Sequence, residues 1–157
     1  MGVGKLGAVE PFFAPQGVKL NGDRYMELLE QQMFPAMALL AHKAGVSPGE
    51  YYFQQDNAPS HKPDRVLKCV KRNAKVFSKW PACSYDLAPM DYFVFNEVKA
   101  AIEKVQPPPK SEQQMRTAVT LACADLDQLA INRAIDSFVT RCRKCFQVGG
   151  LRFEHML

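Results

Sequence analysis

From Asp91 onward the sequence is written almost entirely in the period of an α-helix, whereas before it short apolar runs alternate with helical ones. A helix beginning at about Asp91 places Phe95, Val98, Ile102 and Val105 on one face. Pro107-Pro108-Pro109 ends it and forms a stiff spacer. Ser111 with Gln114 three positions on is a capping-box signature for a further helix carrying Met115, Ala118, Val119 and Ala122. The clearest periodic segment is the last. Its stripe of Ile131, Ala134, Ile135, Phe138, Val139, Cys142, Cys145 and Phe146 is stopped by Gly149-Gly150.

The front of the chain reads differently. Leu6 to Phe13 is a short apolar run flanked by glycine and is expected to be a strand. Asn21-Gly22-Asp23 supplies a turn and an N-cap for a helix carrying Tyr25, Leu28, Leu29, Met33, Met37 and Leu40, in which Pro35 predicts a kink or two consecutive helices. Gly45-Val46-Ser47-Pro48-Gly49 is a loop, and Tyr51 to Gln55 is a second strand ending at Asp56. Pro63 suits the first turn of a helix that turns Val66, Leu67 and Val70 inward and ends near Asn73. Val76-Phe77 is a weak strand candidate, and Trp80 to Met90 is irregular. Strands that alternate with helices early and give way to helices predict an α/β class, a mixed sheet with helical additions, in one domain spanning 1–157.

The 157 residues suffice to bury a core without disulfides, and five irregularly spaced cysteines disfavour a disulfide framework. The longest charge-free stretch, Gln31 to His42, is far short of the ~18 apolar residues of a membrane span. Lys5, Glu10, Pro11 and Pro15 interrupt any secretory signal. A soluble, intracellular protein with no membrane partner is expected. The net charge of +4 is mild, but its distribution is not. Lys62, Arg65, Lys68, Lys71, Arg72, Lys75 and Lys79 stand against the single acid Asp64. That concentration is either the footprint of a polyanion or a solvated helix face.

Cys142-x-x-Cys145 invites a zinc reading, but the spacing puts both thiols on the apolar stripe of the last helix. With only Cys123 and His155 as further ligands, core packing is the better reading. The acids say more. Asp56 closes an apolar strand and Asp91 opens an amphipathic helix, positions where functional groups emerge onto a common rim. Two carboxylates brought together there suit a hard cation such as Mg²⁺; each is equally sufficient as a turn residue and a helix cap. His61 is either a phosphate or metal contact or a solvated loop residue.

The stretch Phe53-Gln54-Gln55-Asp56-Asn57-Ala58-Pro59-Ser60-His61 resembles the second-aspartate motif of the mariner-type DDE transposases. Trp80-Pro81 and Ser84-Tyr85-Asp86-Leu87-Ala88-Pro89-Met90-Asp91-Tyr92 resemble that family's third-acid motif. The 34 residues between Asp56 and Asp91 match the spacing of the mariner branch. The tail from Arg141 to His155 is similar as well, so the resemblance runs from about Val3 to His155. Two departures stand out. Tyr85 replaces a usual proline, and the family's first catalytic aspartate has no counterpart, since Asp23 caps a helix and Glu10 falls on what matches the third strand.

The resemblance implies an incomplete ribonuclease-H-like sheet, the C-terminal part of a catalytic domain without the N-terminal DNA-binding region. It implies Asp56 and Asp91 as catalytic and metal-binding residues for Mg²⁺, with Mn²⁺ as substitute, two ions serving the intact family in phosphoryl transfer. It implies DNA as partner, held without sequence preference by Lys62, Arg65, Lys68, Lys71, Arg72 and Lys75, allows a homodimer and no small-molecule substrate, and points to the nucleus. With the sheet incomplete, Leu6–Phe13 is expected to pair directly with Tyr51–Gln55, or the chain to be marginally stable. By itself such a chain is expected to be inactive. The alternative is a non-catalytic nucleic-acid-binding or dimerisation module derived from a transposon.

Overall fold

The computed structural model describes residues 1–47, 49–77 and 80–157. Pro48 of the expected loop and Lys79 of the basic segment lie outside the described residues. The backbone divides into two compact units, one formed by Met1 and Phe12–Cys83, the other by Gly2–Pro11 and Ser84–Leu157.

In the first unit, helix α1 (Gly22–Leu28) starts at Asn21, whose side chain accepts the Arg24 N–H at 3.0 Å. Gly22 is required there: a Cβ would sit 2.7 Å from Cγ of Pro63. A π-helical turn, Leu29–Met33, leads into α2 (Phe34–Lys43), with the Phe34 N–H reaching back to the Leu29 carbonyl. The widening falls just before Pro35, which has no N–H to give to Gln31 and whose ring would crowd that carbonyl in a regular helix. Where a kink or two consecutive helices were expected, the helical run from Gly22 to Lys43 instead continues through Pro35 by way of this π-helical turn. Helix α3 (Asp64–Asn73) buries Val66, Cys69 and Val70, while Leu67 is 38% exposed. The inward reading of Leu67 is corrected, since one residue past Val66 the helix has already turned about 100°.

The second unit opens with a hairpin of β1 (Gly2–Gly4) and β2 (Gly7–Val9), paired antiparallel in the register Gly2↔Val9, Val3↔Ala8, Gly4↔Gly7. Gly7 has φ 137°, which a side chain would oppose. A 3₁₀ turn (Tyr85–Leu87) and a π-helical turn (Met90–Val94) precede α4 (Phe95–Glu103). Helix α5 (Glu112–Ala124) carries the expected capping box, Ser111 accepting from the Gln114 N–H at 3.2 Å and Gln114 returning the bond at 3.3 Å. Helix α6 (Gln128–Gln147) is capped by Asp127 and closed by Gly149 and Gly150, both at positive φ, with the Gly150 N–H donating to the Cys145 carbonyl. Leu87, Val94, Val98, Ala118, Ala122, Ile131 and Phe153 make the core, and α4 packs on α5.

The expected mixed sheet is corrected. The structure is mostly helical, and among the described residues its one sheet is the two-stranded hairpin. The strand expected over Leu6–Phe13 lasts three residues, because Pro11 and Pro15 cannot donate to a ladder. It pairs with β1 rather than with Tyr51–Gln55. That second stretch forms a single parallel bridge, the Phe53 N–H donating to the Lys75 carbonyl at 2.8 Å and Lys75 N–H to Tyr51 at 3.0 Å. Tyr51–Gln55 is thus extended but nearly ladderless. On α6 only Ile131 is buried, and Val139 and Phe146 of the expected inner stripe are exposed. A 20-residue helix outruns the small core beneath it. Val105 and Met115 are exposed too, Val105 because α4 stops at Glu103.

Candidate functional site

Asp56 follows the extended stretch directly. Its Oδ1 accepts the Ala58 N–H at 3.0 Å, the hydrogen bond of an Asx turn. The same oxygen lies 2.7 Å from Nδ1 of His61, which also meets the Asp56 carbonyl at 3.2 Å. With two acceptors facing Nδ1, that nitrogen carries the hydrogen. The His61 side chain is only 18% exposed and its ring packs 4.1 Å from that of Tyr25, so it is not the solvated residue the sequence allowed. Tyr25 donates to Oε1 of Gln55 at 2.9 Å, tying the strand end to α1. Burial, then the Asp56 charge, pushes the Tyr25 phenol well above its ordinary range. Oδ2 of Asp56 makes no hydrogen bond among the described residues, and the side chain is 64% exposed.

Asp91 stands, exposed, in the first turn of the Met90–Val94 segment, its N–H donating to the Ala88 carbonyl at 2.9 Å. Its neighbour Tyr92 is anchored to α6. The phenol donates to the Ala134 carbonyl at 2.7 Å, and the Arg141 guanidinium lies 3.6 Å over the ring. Arg141 also donates to the Asp86 carbonyl at 2.9 Å. Burial raises the Tyr92 phenol, against the Ser137 hydrogen bond and the Arg141 charge. Tyr85, where the family's proline was expected, is 59% exposed and simply begins the 3₁₀ turn. Sequence reasoning missed Arg141 as a contact of this motif, since no local spacing links it to a residue 55 positions earlier.

The basic residues divide. Arg65 pairs with Asp23 at 2.6 Å, Arg72 with Glu30 at 3.7 Å and Lys75 with Glu50 at 3.0 Å. Lys62, Lys68 and Lys71 are exposed and have no ion pair among the described residues. Between α1 and α3 an open groove of about 550 Å³ is lined by Met26, Glu30, Arg65, Lys68, Lys71 and Arg72. The local surplus of charge read from the sequence is therefore partly cancelled by acids drawn from α1, the Glu30 turn and Glu50. Cys142 and Cys145 are half-buried on α6, and burial pushes the Cys142 thiol up, as suits packing rather than ligation. No three His, Cys, Asp or Glu side chains gather as a metal-binding group among the described residues. No helix among them is long and apolar enough to cross a membrane.

Fold and motifs together define a class: the chain resembles the catalytic domain of mariner-type transposases. Structures of Mos1 are among those it resembles. The crystal structure of the Mos1 mariner transposase catalytic domain superposes with TM-score 0.76 at 27% identity, over 88% of this chain and 66% of that one. The Mos1 catalytic domain with raltegravir and Mn gives TM-score 0.73 at 26% identity over 88% of this chain and 68% of that one. The Mos1 mariner paired end complex with Mn gives 0.72 at 27%, over 88% and 39%. The chain thus spans about two thirds of the Mos1 catalytic domain. No protein-family model and no curated protein sequence matches it.

Proposed function

We propose that residues 1–157 are the C-terminal part of a DDE transposase catalytic domain, acting on DNA in the nucleus, with Asp56 and Asp91 as two of its carboxylate ligands. The observation that carries this reading is that both acids keep their motifs within a chain that superposes on Mos1 over 88% of its length. The donor chemistry fits Mg²⁺ or Mn²⁺. Asp56 offers an unbonded carboxylate oxygen and Asp91 is exposed, both hard oxygen donors, and two such ligands leave the waters that Mg²⁺ retains. Such a cation, when bound, offsets the repulsion between a phosphate and an attacking oxygen. Structures of the Mos1 catalytic domain exist with Mn and with Mg.

On this reading Asp56 and Asp91 hold the cation, while Lys62, Lys68 and Lys71 bear on DNA phosphates without reading sequence; Arg65, Arg72 and Lys75 join them only by giving up their carboxylate partners. A second copy of the chain is a further partner, in keeping with the paired-end complexes of Mos1. The chain by itself neither cuts nor joins DNA, because two carboxylates do not order both the attacking and the leaving oxygen. The test is Mn²⁺-dependent nicking of supercoiled DNA beside Mn²⁺ binding. We expect binding that Asp56→Asn, Asp91→Asn removes, and no nicking. Nicking abolished by that double change would overturn the claim of inactivity. Mn²⁺ binding indifferent to it would overturn the site and leave a nucleic-acid-binding or dimerisation module.

A further inference from the structure

Arg141 is half-buried on α6, yet no carboxylate among the described residues pairs with it. Its partners are neutral: the Asp86 carbonyl at 2.9 Å, Oγ of Ser137 at 3.4 Å from Nε, and the face of Tyr92 at 3.6 Å. A guanidinium withdrawn from water without a counter-ion is costly unless several such contacts hold it. These contacts converge on one short stretch. Asp86 lies five residues before Asp91 and Tyr92 one residue after it, so the side chain grips both flanks of the acid. Ser137 completes the grip, donating to the Ala134 carbonyl at 2.7 Å, the oxygen that also accepts from Tyr92. Within the gripped stretch the Ala88 carbonyl takes the N–H groups of both Asp91 and Tyr92, at 2.9 and 3.1 Å.

We infer that Arg141 is a positioning residue that fixes the backbone direction from which Asp91 presents its carboxylate to a divalent cation. The inference rests on the proposed metal-holding role of Asp91. Lysine does not substitute, because the contacts use a planar fork, one edge donating to a carbonyl while the face lies on a ring. Outer contacts that orient a ligand commonly govern metal affinity by about 10–100-fold.

The experiment measures free Mn²⁺ by electron paramagnetic resonance against the whole chain, with backbone hydrogen exchange read in parallel, well below the melting temperature of each variant. Arg141→Ala and Arg141→Lys should both bind Mn²⁺ at least about tenfold more weakly than wild type. Exchange at Leu87 to Tyr92 should rise while α5 keeps its protection. Tyr92→Leu, which removes the stacked ring but leaves Arg141, should reproduce the loss and serves should Arg141→Ala fold poorly. Wild-type affinity in Arg141→Ala, or full recovery with lysine, while Asp91→Asn binds weakly, overturns the positioning role alone. Equal binding by wild type and Asp91→Asn overturns the metal reading, and this inference with it.

Discussion

Asp56 and Asp91 occupy equivalent places in the proposed chemistry but are held in opposite ways. Asp56 is fixed by its own neighbourhood: Oδ1 takes the N–H two residues on and the imidazole five residues on. The residues flanking Asp91 are held from afar: Arg141 donates to the Asp86 carbonyl and Tyr92 to the Ala134 carbonyl, both partners lying on α6, more than 40 positions later in sequence than Asp91. A local turn forms wherever its few residues are free to adopt it. A long-range grip exists only when α6 is folded and docked, so it shares the stability of its unit. The two acids should therefore fail under different insults.

The largest separation should come from the core beneath α6. Ile131 is 1% exposed, and Ile131→Ala should cost about 2–5 kcal/mol through lost burial and a residual cavity. Thermal unfolding gives the total, and hydrogen exchange should show Asp91 and Tyr92 losing protection while the Ala58 N–H keeps its own. Equal loss at both would mean that the Asp56 turn depends on the same unit, and the contrast would be gone.

Alkaline pH separates the units less sharply. Burial raises both the Tyr25 and the Tyr92 phenols above their ordinary value, so the folded chain holds these protons longer than the unfolded one. Stability from each is complete below the unfolded phenol value of ~10 and is lost as pH rises through the folded one. Tyr25 has the larger shift, with the Asp56 charge adding to burial, whereas Ser137 and Arg141 oppose the shift at Tyr92. Tyr25→Phe should hence flatten the alkaline fall in stability more than Tyr92→Phe, read as urea midpoints between pH 8 and pH 11. The reverse order would break the assignment.

What was legible in the sequence follows the same division. Asn21, the Ser111–Gln114 box and the paired glycines after α6 work over three to five residues, and each is where its local chemistry put it. Asp56 as a turn residue is legible for that reason. The sheet was not, because strand existence depends on partners. Tyr51–Gln55 has strand composition but meets only Lys75, and Leu6–Phe13 is cut short by its prolines. Amphipathic periodicity overstated burial on α6, since a stripe marks a face that can be covered and not how far the cover extends; Phe146 is 88% exposed. Ion pairing was likewise invisible, as the acids meeting Arg65 and Arg72 belong to another helix and turn.

A smaller effect should follow from the cap of α6. Asp127 accepts the N–H groups of Leu129 and Ala130 at 3.0 and 3.1 Å. Asp127→Ala should cost about 1 kcal/mol in thermal or urea unfolding. If the Asp91 grip depends on the whole helix, exchange at Asp91 should rise in step. An unchanged midpoint would show that the helix start is frayed already and that the grip relies on its later turns.

The smallest expected change, and the one that isolates the Asp56 turn, is His61→Phe. Phenylalanine keeps a ring against Tyr25 but cannot donate to the Asp56 carboxylate or carbonyl. Asp56 is largely exposed, so water replaces much of what the imidazole supplied, and the global cost should stay at or below about 1 kcal/mol. The Asx bond from the Ala58 N–H is untouched by the change, so that amide should keep its protection. Mn²⁺ binding is the sharper reading, because the imidazole occupies the oxygen that the turn also uses and restrains the carboxylate's rotation. Removing it should weaken Mn²⁺ only a few-fold, less than Arg141→Ala, since one of the two restraints on Asp56 survives. A loss as large as that of Arg141→Ala would show that the Asp56 turn is not self-sufficient and that His61, packed against α1, ties this acid to its own unit as firmly as α6 ties the other.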